Sequence, residues 1–98
     1  MTTITIQIGN SDDKLTQVEW SQFVVALEFL VDKGLINPHF SGGSSASKPW
    51  QNYCLVGEFN ENDIGLIERH LSAMCVLYKQ DSIALTVGET KFVTGDQS

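Results

Sequence analysis

Apolar and polar residues alternate at the start of the chain. Ile4, Ile6 and Ile8 fall on one side, and Thr3, Thr5 and Gln7 on the other. A period of two predicts a half-buried strand over 2–8. Gly9-Asn10-Ser11-Asp12-Asp13 stops it with turn formers. The period then lengthens. Trp20, Phe23, Val24, Leu27, Leu30 and Val31 recur at spacings of three and four, which predicts a helix over 15–34. Thr16 and Glu19 have capping-box spacing, and Leu15 and Trp20 are placed as a hydrophobic staple. Gly34 suits the left-handed position that ends a helix. Val25 and Phe29 fall outside the stripe and suggest a second contact.

The middle of the chain is less regular. Asn37-Pro38 reads as a turn, 39–42 as a short strand, and the Gly/Ser-rich 41–48 as a flexible tip. The stretch from Trp50 to Phe59 carries the strongest strand signal. One of its faces reads Gln51, Tyr53, Leu55, Gly57, Phe59, and the other Trp50, Asn52, Cys54, Val56, Glu58. The first is the better core face. Asn60 and the acidic residues after it predict a helix start, and Ile64, Ile67, Leu71 and Met74 carry a helical phase over 61–79. Alternation returns over 81–87. Gly88-Glu89 fits a two-residue hairpin turn, with 90–93 as the returning strand and 95–98 as a frayed tail.

This order predicts one α+β domain over 1–98. Two helices cover one face of a four- to five-stranded antiparallel sheet, on the ferredoxin-like split β-α-β plan, with a C-terminal hairpin added. The expected core face holds Ile4, Ile6, Ile8, Tyr53, Leu55, Phe59, Ile83, Leu85 and Val87. The opposite face holds Thr3, Thr5, Gln7, Asn52, Cys54, Val56, Ser82, Ala84 and Thr86. These side chains are small or uncharged, whereas a fully solvated sheet face usually carries more Lys and Glu. Burial by a second subunit or a protein partner is the preferred reading of that face.

Charge narrows the partners. A net charge of −6, with six scattered basic residues, disfavours direct binding to a nucleic-acid backbone. No apolar run is long enough for a membrane span, and no basic-then-apolar leader opens the sequence. A cytoplasmic protein is therefore expected. Cys54 and Cys75 read as free thiols in a reducing compartment.

Candidate chemistry is sparse. The two histidines, His39 and His70, lie on different elements and form no metal-ligand spacing, so no metal or cofactor is expected. Gly42-Gly43-Ser44-Ser45 lacks the Lys of a phosphate loop. Asp12, Asp13 and Asp81 are the candidates for a shared carboxylate site. They are expected at opposite ends of the sheet and read instead as turn and helix-entry residues. A catalytic cysteine needs an exposed thiol beside a His.

Ile8-Gly9-Asn10-Ser11-Asp12-Asp13-Lys14-Leu15-Thr16, Glu19-Trp20, Pro49-Trp50-Gln51-Asn52 and Tyr78-Lys79-Gln80-Asp81-Ser82-Ile83-Ala84 resemble small uncharacterised proteins of actinobacteria and their phages. The resemblance spans most of the chain. It implies a context, a phage or mobile-element accessory protein, and brings no activity with it.

Two functional readings follow. The first is a non-catalytic interaction domain that binds, and as a phage protein inhibits, a host factor, with homodimerisation through the open sheet face as a variant. The second is a small-molecule or nucleotide-binding domain, its ligand on that face or at a dimer interface. An enzyme ranks third. The candidate binding residues are Trp50, Asn52, Cys54, Val56, Thr5, Gln7, Ser82, Thr86, Asn10, Ser11 and Gln80.

Overall fold

The computed structural model describes residues 2–10, 15–44 and 51–95. The elements are β1 (Thr2–Gly9), α1 (Gln17–Asp32), β2 (Ile36–Gly43), β3 (Asn52–Phe59), a 3-10 turn (Glu61–Asp63), α2 (Ile64–Leu77) and β4 (Ala84–Glu89). They build an α+β domain: one four-stranded antiparallel sheet in the order β2-β3-β1-β4, with both helices packed on one face.

The core follows from the two periods in the sequence. Ile4, Ile6 and Ile8 of β1 and Leu55 of β3 supply its floor. Phe23, Leu27 and Leu30 of α1 and Ile67, Leu71 and Met74 of α2 close it from above. Register explains the layering: Ile4 lies between Gly57 and Val87, and Ile6 between Leu55 and Leu85. Val87, expected in the core, is 46% exposed because it sits on the outermost strand, beyond the reach of the helices.

Local signals hold at the helix ends. The Thr16 hydroxyl accepts from the Glu19 N–H at 3.2 Å, and Glu19 Oε1 accepts from the Thr16 N–H at 3.0 Å. This backbone hydrogen bond to Thr16 holds the Glu19 carboxyl below its ordinary value. Gly34 has φ 73°, and the N–H groups of Gly34 and Leu35 close on the Val31 and Leu30 carbonyls. α2 ends in the same way with Lys79 in the left-handed position at φ 55°, and the Gln80 N–H bonds the Cys75 carbonyl at 2.8 Å. A side chain there is strained where glycine is not. Lys79→Gly is therefore expected to stabilise the fold by about 1 kcal/mol, read as a higher urea midpoint at unchanged m-value.

Three expectations are corrected. Asn37-Pro38 is no turn. Both residues lie in β2, which contains the short strand expected over 39–42 and runs on through Gly43, a residue expected in the tip. Pro38 is tolerated because β2 is an edge strand, and a register shift between Pro38 and Phe40 absorbs its missing donor. The C-terminal hairpin does not form: β4 runs straight through Gly88 and Glu89, which pair with Thr3 and Thr2, and 90–94 form no strand. Finally, Gln7 pairs with Ala84, so the start of β4 lies at the same end of the sheet as the end of β1. Asp81, which precedes β4, is thus at the end of the sheet where β1 ends; Asp12 and Asp13 lie outside the described residues.

Candidate functional site

The sheet face away from the helices is built in rows across the strands. Phe40, Val56, Thr5 and Thr86 form the central row. Gly42, Cys54, Gln7 and Ala84 form the next. On the other side of the centre lie Glu58, Thr3 and Gly88, with His39 Nε2 3.0 Å from Glu58 Oε1. The Thr3 hydroxyl bonds that of Thr90. Glu58 is the one carboxylate in these rows, and His39 partners it.

Phe40 dominates the face. It is 59% exposed, and its ring lies along β2 over Gly42, where an added Cβ would be 3.0 Å from Cζ. Sequence reasoning missed it because Pro38 obscured the strand and the bulge at His39 broke the alternation. Its one sequence signal was an aromatic two residues before Gly42 in a segment read as a short strand.

The expected site residues divide. Asn52, Cys54, Val56, Thr5, Gln7 and Thr86 all occupy this face, in register. A hollow of about 380 Å³ opens beside Gln7, Asn52 and Cys54, with Tyr53 in its wall. Asn10 does not belong to the face. It is 3% exposed; its amide donates to the Leu15 carbonyl at 3.0 Å and to Gln51 Oε1 at 3.2 Å, and its Oδ1 accepts from the Leu15 N–H. Its side chain clamps the ends of the loop after β1. Gln80 donates to the Tyr78 carbonyl at 3.0 Å and helps close the end of α2. Ser82 precedes β4 and is exposed. Trp50 and Ser11 lie outside the described residues.

Polar groups on the helix side serve the fold. The Tyr53 hydroxyl donates to Glu28. Burial, and then this bond to a carboxylate, raise the Tyr53 pKa above its ordinary value. His70, expected to be exposed, is half-buried: Nε2 lies 2.7 Å from the Ala26 carbonyl, and the ring stacks on Phe29 at 5.3 Å. Lys33 Nζ sits 5.3 Å from the centroid of the same phenyl ring. Phe29 is thus partly engaged between the helices. Val25 is open to solvent beside a shallow hollow lined by Ser21, Gln22, Ala26 and Tyr78.

Both cysteines are half-buried free thiols. Cys54 lies on the open face and Cys75 on α2, where burial pushes its pKa up and away from the thiolate. Among the described residues no three His, Cys, Asp or Glu side chains gather as metal ligands, and no helix is long and apolar enough to cross a membrane. Comparison with family models, with curated proteins and with solved structures finds no match.

Proposed function

We propose that this chain is a non-catalytic protein-interaction domain on the ferredoxin-like split β-α-β plan, and that the open sheet face is its contact surface. The strand order β2-β3-β1-β4, with each helix linking two strands that are not neighbours, supports the plan. The observation that carries the function is the central row. An exposed phenyl ring beside Val56, in a row that Thr5 and Thr86 continue across the sheet, presents an uncharged patch, while acidic residues such as Glu61, Glu68 and Asp32 lie on the helix side or at its ends. Interfaces concentrate their energy in central aromatic residues ringed by near-neutral contacts. The resemblance to phage and actinobacterial proteins supplies the context, an accessory protein that binds and blocks a host protein.

The test is capture by the immobilised chain. Phe40→Ala and Val56→Lys should each reduce retention of the partner by at least about tenfold, a hot-spot loss of more than 1.4 kcal/mol. Val25→Ala, on the helix side, should leave retention unchanged. Phe40→Ala should alter folding stability by less than about 1 kcal/mol, since most of the ring is already in water. Equal retention by all three variants would place the contact elsewhere.

The hollow beside Gln7, Asn52 and Cys54 favours a second reading, a small polar ligand or nucleotide held by the two side-chain amides. Native mass spectrometry of freshly purified protein separates the two: a retained small molecule lost on Asn52→Ala supports the ligand, and a bare chain removes it.

A further inference from the structure

The two edges of the sheet are built differently. β2 is blunted: Pro38 offers no N–H, and the register shift beside it breaks any regular row of donors and acceptors. β4 has neither device. It pairs with β1 in unbroken register from Ala84 to Glu89, and Ala-Leu-Thr-Val-Gly contains no Pro and no basic residue. Among the described residues its outer side carries no strand. On the helix side of this edge lies a hollow of about 320 Å³ lined by Glu68, Leu71, Ser72, Cys75, Ile83 and Leu85.

We propose that β4 pairs antiparallel with β4 of a second copy of this chain about a two-fold axis, joining the two sheets into one. This inference is independent of the open-face reading. A two-fold axis perpendicular to the sheet keeps both pairs of helices on one side, so directly opposed residues must share a face. Three registers near the centre of the strand satisfy that condition.

With Leu85 facing its own counterpart, Glu89 opposes Asp81 and Lys91 opposes Lys79 of the second copy, two pairs of like charges. With Val87 facing itself, Glu89 is set against Leu85 and Lys91 against Ile83. With Thr86 facing itself, Leu85 meets Val87, Ala84 meets Gly88, and pairing extended two residues past Glu89 and three before Ala84 sets Lys91 against Asp81. Of the three, the register centred on Thr86 alone gains opposite charges and opposes no like ones. It also brings Val87 of the second copy beside Leu85, at the rim of the hollow. Within one chain 90–94 form no strand.

Light scattering after size exclusion, across the micromolar range, is expected to show a monomer–dimer equilibrium. Lys91→Glu should weaken the dimer by about tenfold, because symmetry converts two attractive pairs into repulsive ones. Adding Asp81→Lys to Lys91→Glu should restore it. Phe40→Ala, on the open face, should leave the equilibrium unmoved, and circular dichroism should show each variant folded. A monomer at every concentration, a dimer indifferent to Lys91→Glu, a double variant that fails to recover, or a dimer dissolved by Phe40→Ala would each overturn the edge pairing.

Discussion

Gly57→Ala is expected to cost at least about 3 kcal/mol, enough to leave much of the population unfolded in a domain of ordinary stability. Gly57 lies on the helix-covered face of β3, opposite Ile4 of β1 and Pro38 of β2. A Cβ there would overlap the Asn37 carbonyl oxygen and stand 2.8 Å from Ile36 Cγ2. The oxygen belongs to the backbone of a paired strand, so no side-chain rotation relieves the overlap. β2 would have to shift, and Ile36, 1% exposed, would leave the core with it. Urea unfolding followed by circular dichroism measures the loss. Ile36→Ala added to Gly57→Ala should not recover it, since the backbone overlap remains. A Gly57→Ala protein within about 1 kcal/mol of wild type would show that β2 yields more easily than its pairing implies.

Phe23→Ala should remove about 3–5 kcal/mol. The ring is fully buried beneath α1. It stacks on Tyr78 at 4.9 Å between centroids and meets the Trp20 ring edge-on at 6.0 Å. It therefore ties the first turns of α1 to the end of α2, and truncation leaves a cavity between two helices whose positions are held by other contacts. Phe23→Leu should cost less, because it refills most of the volume while losing the aromatic pairings. Thermal and urea unfolding of both variants checks the order. Equal losses would mean that ring geometry matters more at this position than volume.

The two variants differ in how visible they are in the sequence. Phe23 sits on the helical stripe with Trp20, Leu27 and Leu30, so its burial follows from spacing alone. Gly57 reads as an ordinary member of an alternating strand. Its need for a missing Cβ comes from β2, a segment distant in sequence that presses a carbonyl against it. The same division runs through the site. Thr5, Gln7, Asn52, Cys54, Val56 and Thr86 were legible as one face because alternation is local and the period of two assigns sides. Phe40 was not, because its side depends on a bulge that only pairing with β3 reveals. Asn10 was read as a ligand contact, but the fold engages both ends of its amide inside the chain.

By itself the sequence determined the elements whose signals are short-range. These are the alternation of β1 and β3, the capping box at Thr16, the left-handed stop at Gly34, and the helical phase of α2 that carries through Met74 and Cys75. The tertiary structure decided what depends on a neighbour. β2 is a strand despite Pro38 because β3 lies beside it and the edge needs no donor there. Gly88-Glu89 is strand rather than turn because Thr3 and Thr2 supply its partners. Hydrogen bonds along a helix close within four residues, whereas those of a sheet close with whatever the fold brings alongside. Periodicity can name the face of a strand, and pairing alone reveals which strands are edges.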